Sequence, residues 1–181
     1  MSKSTKIIAG AGVAALAIAA IPAIANAATT QNVEYQVVIS ETLSLTVDDA
    51  DLSYTLTNGG TAGTGESSTF TAITNHSSGY QIVATDADTD LANSTSDTIA
   101  YGTPSQGTSA WNLTTNGTNL GEALGVLAEA DLEGAGALVH KQATPTSTSG
   151  VTTTVSYSAS ASASQAAGTY TDTVLYTVSA I

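Results

Sequence analysis

Apolar and polar residues alternate along much of this chain. In VEYQVVI, Val33, Tyr35, Val37 and Ile39 fall on one face of an extended backbone. LSLTV does the same with Leu43, Leu45 and Val47, and LSYTL with Leu52, Tyr54 and Leu56. A period of two marks a strand with one buried face. TNGGTAGTG follows as a loop. STFTAITN and GYQIVATD read as two more strands joined by the tight connection NHSSG, and TIAY, AWNLT, VTTTVSYSASAS and YTDTVLYTVSA complete the set. Thr and Val favour strands, while Gly and Asn favour the turns between them. About eight or nine short strands at this spacing predict an all-β protein, an antiparallel Ig-like or pilin-like β-sandwich with one short helix.

That helix is expected in NLGEALGVLAEADLEG, where Leu120, Ala123, Leu124 and Leu127 recur at three- and four-residue steps and the pattern stops near Gly134. Its simplest role is a plug over one open end of the sandwich; the alternatives are a loop or an interaction surface. KQATPTSTSG then reads as a loop. SYSASASASQAAG presents only small side chains, which suits either close approach of another backbone or an edge strand with few packing demands. In the closing strand, Tyr170, Asp172, Val174, Tyr176 and Val178 share the face assigned to the core, with Asp172 near its wet start. Thr171, Thr173, Leu175, Thr177 and Ser179 share the other.

The first residues follow a different rule. Lys3 and Lys6 precede an apolar run from Ile7 to Ile21, Pro22 breaks it, and Ala25 and Ala27 stand at the −3 and −1 positions of a cleavage site. This is the layout of a secretory signal peptide, residues 1–27, leaving a single domain over 28–181. A retained membrane anchor fits less well, because the run is broken and falls short of the roughly 20 residues of a span. A type IV pilin leader also fits less well, since no acidic residue precedes Glu34. The expected location is extracellular, secreted or at the cell surface, with no membrane association after signal removal.

Charge narrows the partners. Beyond residue 27 there are fifteen acidic residues against Lys141 alone, a formal charge of −14, and arginine is absent from the whole chain. Nucleic acid and anionic lipid are disfavoured, and divalent cations are favoured. The absence of cysteine excludes thiol catalysis and thiolate metal sites.

Several pieces resemble known families of bacterial secreted surface proteins. GTYTDTVLYTVSA is similar to the last strand of spore coat protein U-type fimbrial subunits and of the WxL wall-binding domain. TNHSSGYQIVAT followed by AWNLT resembles the middle of WxL-like proteins, with Trp111, Asn112 and Leu113 on the first Trp-x-Leu motif. At the place of the second motif this chain has Tyr176, Thr177 and Val178, and it lacks the cysteines usual in the fimbrial relatives. The resemblance implies a β-sandwich at the cell surface.

DADTDLANSTSD carries the sharpest local chemistry. Asp86, Asp88 and Asp90 occupy positions 1, 3 and 5 of an EF-hand-like loop and Asp97 position 12, so these four are the candidate ligands for Ca²⁺. Position 6 is Leu91 where such loops turn on glycine, and an acidic solvated hairpin loop is the alternative reading. VDDAD at Val47–Asp51 would add carboxylates if it lay at the same end. Trp111, the only tryptophan, is either a core anchor between sheets or, with Tyr80, Tyr101 and Phe70, a platform for sugars. Neither a GxSxG elbow nor an HExxH helix occurs, and the histidines are His76 and His140 alone. Glu122, Glu129, Asp131 and Glu133 could supply a glycosidase-like carboxylate pair but read better as a wet helix face. Sequons stand at Asn75, Asn93, Asn112 and Asn116, and Lys141 is a candidate for an isopeptide crosslink. The reading is an exported, non-enzymatic surface protein, structural or adhesive, that self-associates as a fibre or pilus-like subunit. The alternative is a non-catalytic carbohydrate- or cell-wall-binding module.

Overall fold

The computed structural model describes residues 33–60 and 63–181. The chain divides into two units, residues 1–38 and 39–181. The signal-peptide reading and its boundary at Ala27 lie outside the described residues.

The second unit is all-β, with strands β1 (Leu43–Val47), β2 (Gly63–Thr74), β3 (Tyr80–Thr85), β4 (Leu91–Ala92), β5 (Thr98–Ile99), β6 (Ala110–Thr115), β7 (Thr118–Asn119) and β8 (Glu122–Ala123). One turn of helix, α1 (Glu129–Leu132), precedes β9 (Ala137–Gln142), β10 (Val151–Ser160) and β11 (Leu175–Ala180). Four strands make an antiparallel sheet in the order β1-β2-β10-β6, and five make a second in the order β11-β3-β9-β7-β8. In that second sheet only the β7–β9 contact is parallel; β4 and β5 form a separate hairpin.

Alternation decides which side chains meet between the sheets. Phe70 and Ala72 on β2, Trp111 and Leu113 on β6, and Val155 and Ala159 on β10 are buried, as are Tyr80, Ile82 and Ala84 on β3. The Phe70 ring lies 4.3 Å from that of Tyr176 across the sandwich, and Thr115 Oγ1 donates to the Val139 carbonyl at 3.1 Å. The closing strand places its faces as its alternation predicts. Tyr170, Val174, Tyr176 and Val178 pack against the core, and Leu175 points out.

NHSSG is indeed a tight connection, but it crosses between the sheets rather than pairing its neighbours. The Gly79 N–H bonds to the His76 carbonyl at 3.0 Å. Gly79 has a φ of +79°, and a Cβ there would fall 1.9 Å from the Gln142 carbonyl oxygen. Only glycine combines that conformation with that close approach.

Four elements differ from expectation. VEYQVVI forms no strand, and Val33, Tyr35, Val37 and Ile39 are 66–88% exposed. LSYTL is not a strand either: the Ser53 N–H bonds to the Glu66 carboxylate at 2.9 Å instead of joining a ladder, and the Tyr54 ring lies over Gly63. The helical spacing at Leu120–Leu127 belongs to the β7–β8 hairpin and the segment after it. Leu120 sits in the hairpin turn with a φ of +53°, which ends any helix there, and only Glu129–Leu132 is helical. Between that stretch and the expected loop lies β9, an unforeseen strand of the second sheet whose last two residues, Lys141 and Gln142, fall in the expected loop. The alternation of β9 is broken by a bulge opposite Ile82 and Val83, so Val139 and His140 are both buried. The small-residue strand is not an edge: β10 lies between β2 and β6, and Gly65 makes room for the Tyr157 ring.

Candidate functional site

The loop after β3 holds the densest chemistry. Asp86 donates its backbone N–H to the Leu132 carbonyl at 3.0 Å, tying the loop to α1. Thr89 is buried, with its hydroxyl on Glu133 at 2.8 Å and its carbonyl accepting the Trp111 indole N–H at 2.8 Å. Asp86 Oδ1 accepts the Asp88 N–H at 3.1 Å, and Asp88 Oδ1 accepts the Asp90 N–H at 3.3 Å. The alternate aspartates therefore fold the loop on itself.

A carboxylate from far along the chain completes this cluster. Ala92 and Thr171 exchange backbone hydrogen bonds of 3.1 and 3.0 Å, which brings Asp172 beside Asp86. Asp172 Oδ1 accepts the Thr173 N–H at 2.6 Å. Its Oδ2 is buried without a partner, and so is Oδ2 of Asp86, a residue only 6% exposed. The two carboxyl groups lie within hydrogen-bonding reach of each other. Burial first, then the Asp86 and Asp88 carboxylates, push the Asp172 carboxyl up to about 6 against the pull of the Thr173 N–H. Asp172 is thus not the wet start of its strand; it is half-buried and faces a second acid.

The four aspartates proposed for Ca²⁺ are not brought together as one ligand set. Asp97 is exposed in the β4–β5 turn, where its Oδ2 accepts from Asn93 at 3.2 Å and from Thr95 at 2.9 Å. Asp90 is half-exposed, and its N–H rather than its carboxylate is used in the loop. Among the described residues, no three His, Cys, Asp or Glu side chains form a ready metal-holding group. The VDDAD aspartates are occupied elsewhere: Asp48 Oδ1 accepts the Thr69 N–H at 2.6 Å, which draws its carboxyl below the usual range.

The aromatic candidates lie inside. Trp111 is 2% exposed and meets Tyr101 edge-on at 5.1 Å and Tyr157 at 5.9 Å. Phe70, Tyr80 and Tyr101 are buried too, so these four rings form a core and present no platform for sugars. His140 Nδ1 accepts the Thr118 N–H at 3.2 Å, its ring stacks on Tyr80, and burial lowers its pKa. His76 lies 3.8 Å from Glu41 and accepts the Ser78 N–H. Glu122, Glu129, Asp131 and Glu133 are exposed, but they do not form one helix face: Glu122 lies on β8, only Glu129 and Asp131 lie on α1, and Glu129 joins Glu133 at Thr89. Lys141 is half-buried on β9, in register with Gln81 and Asn119. Of the sequons, Asn112 is buried within β6. An open groove of about 320 Å³ runs along Ala123–Ala128 and Leu138, with Asp131 its sole ionisable side chain. No protein-family model, curated protein or solved structure matches the chain. Among the described residues, no helix is long and apolar enough to cross a membrane.

Proposed function

We propose that this is an exported cell-surface protein, structural or adhesive, whose copies associate by strand addition into a fibre or pilus-like assembly. The observation that carries the reading is the exposed segment before β1. Val33, Tyr35, Val37 and Ile39 alternate at strand period and are 66–88% exposed, with Val38 beside them at 78%. Such a segment has strong strand propensity and buries nothing where it stands. At the edge of the five-stranded sheet, β11 (LYTVSA) contains no charged residue and no proline, and Leu175 is 63% exposed. Natural edge strands are usually blunted by charge or proline, and one that is not invites pairing. Strand addition supplies backbone hydrogen bonds for affinity and alternate side chains for register. The charged leader with its small-residue cleavage motif supports export.

The test uses protein beginning at Ala28, followed by size exclusion and negative-stain microscopy across a range of concentration and salt. Fibres or concentration-dependent oligomers are expected, promoted by salt because each copy is strongly acidic. Val37→Asp should return them to monomers without changing the melting temperature. Monomers at every concentration would overturn the reading, and retention of those monomers on purified cell wall or glycan would favour the binding-module alternative.

A further inference from the structure

β1 is held on the sandwich by its ends more than by its side chains. Leu43, Leu45 and Val47 face inward with their partners Thr74, Ala72 and Phe70. Yet Leu43 and Val47 are 39% and 40% exposed, and of the three only Leu45 packs against the core, while the partners on β2 are 0–4% exposed. Side chains clamp both ends. At the start, Asn75 Oδ1 accepts the Thr42 N–H at 2.7 Å, Asn75 Nδ2 donates to the Ser40 carbonyl at 2.8 Å, and Thr74 Oγ1 donates to the Thr42 carbonyl at 2.9 Å. At the finish, Asp48 Oδ1 accepts the Thr69 N–H at 2.6 Å, and Ser68 Oγ donates to the Asp49 carbonyl at 2.6 Å. The Asn75 and Asp48 bonds are exposed, so water competes for them. Ala50 and Asp51, just past the second clamp, are exposed and join no strand. A strand with little buried area, tied by solvated bonds and followed by an exposed link, belongs to the low-stability end of a fold and opens locally. Its departure uncovers the edge of β2 from Phe70 to Thr74.

We infer that β1 is exchanged between copies: LSLTV of one subunit takes the edge of β2 in a second, with Ala50 and Asp51 as the hinge and Asn75 and Asp48 as the latches. A second copy is the occupant that fits, because its β1 remakes every backbone bond, side-chain contact and latch that the first one leaves. Charge allows it as well. Neither LSLTV nor the facing FTAIT carries an ionisable side chain, in a chain whose formal charge beyond residue 27 is −14. The exposed segment Val33–Ile39 is joined to β1 through Ser40–Thr42 and crosses with it. The inference rests on the self-association reading and names the strand that each copy gives up.

The chain has no cysteine, so a pair placed in register reports whose β1 sits on which β2. Ser44 and Ile73 face each other on the side of the sheet away from the core. Protein beginning at Ala28 and carrying Ser44→Cys with Ile73→Cys is concentrated until it associates, oxidised, and run on a denaturing gel without reductant. Disulfide-linked dimers and larger species are expected. Asn75→Ala and Asp48→Asn should speed their appearance several-fold without changing the final extent, because the latches are lost equally from the closed and exchanged forms. In hydrogen exchange of the monomer, the amides of Leu43–Val47 should exchange faster than those of β3, and faster again in both latch variants. Should the double variant fail to fold, the Ser44→Cys and Ile73→Cys chains are mixed in equal amounts, and the mixed disulfide, identified by peptide mass, decides. Associated copies whose cysteines close only within each chain overturn this inference and leave strand addition at β11 standing. Monomers at every concentration overturn both. Amides of β1 that exchange no faster than those of β3 overturn the inference alone, since the strand then does not open by itself.

Discussion

Two buried tyrosines offer a paired test of the core. Tyr80 is fully buried, and its hydroxyl has no hydrogen-bond partner; burial pushes its pKa up to about 12. Tyr101 is also buried, but its hydroxyl donates to the Leu127 carbonyl at 2.7 Å and accepts the Leu113 N–H at 3.1 Å. Tyr→Phe removes the same atom from each, with opposite expected signs. An unpartnered buried hydroxyl costs about 1–3 kcal/mol in protein mutational data, so Tyr80→Phe should recover roughly 1 kcal/mol or more. Tyr101→Phe should lose about 3 kcal/mol, since it breaks two bonds and leaves two buried main-chain groups unpaired. For a sandwich of this size the shifts in Tm are roughly +4 °C and −10 °C. Urea denaturation followed by the fluorescence of Trp111, the only tryptophan, reads both. An unchanged m-value would place the difference in the native state. A Tyr80→Phe variant destabilised by 1 kcal/mol or more would refute the reasoning, because the hydroxyl would then have a partner.

The faces of the closing strand can be separated in the same assay. Val174→Asp places a carboxylate against the core beside Tyr176 and should cost about 2–4 kcal/mol; Thr173→Asp, exposed on the opposite face, should cost well under 1 kcal/mol. Equal losses would show the face assignment to be wrong. His140 should make stability depend on pH in one direction. Burial lowers its folded pKa below 6.5, so the unfolded chain takes up the proton first. Its contribution is intact above pH 6.5 and is lost as pH falls below that value. Comparing wild type with His140→Gln from pH 7.5 to 5 isolates the effect, and identical slopes would dismiss it.

What the sequence made legible followed from how local the determinants were. β2 and β3 are legible because each alternates cleanly. β1, β6 and β10 are legible because their runs are rich in strand-forming residues, even though Asn112 is buried between Trp111 and Leu113 and β10 breaks register at Ser156–Ser158. Val174, Tyr176 and Val178 were placed on the buried face by alternation. β9 was not legible, because its bulge puts Val139 and His140 inward together and breaks the period. Leucines at three- and four-residue steps imitate a helix at Leu120–Leu127, whereas the positive φ of Leu120 is set by the β7–β8 turn. Trp111 reads equally as anchor or platform until its burial decides. Asp172 was the hardest case. A lone acid at a strand's start looks solvated, and its meeting with Asp86 depends on the pairing of β11 with β3 and on the bridge between Ala92 and Thr171, which no local pattern encodes.

The pairing of β11 with β3 also bears on when this fold can form. Leu175 meets Thr85, and Ala180 meets Tyr80, across some 90 residues of intervening chain. On the other sheet, β10 joins β2 and β6 only after the whole middle of the chain has been made. Non-local pairing of this kind is slow, because the loop-closure entropy must be met before the contacts return anything. A ribosome-bound chain missing its last strand has no partner for one edge of β3, so folding waits until synthesis of that strand is complete.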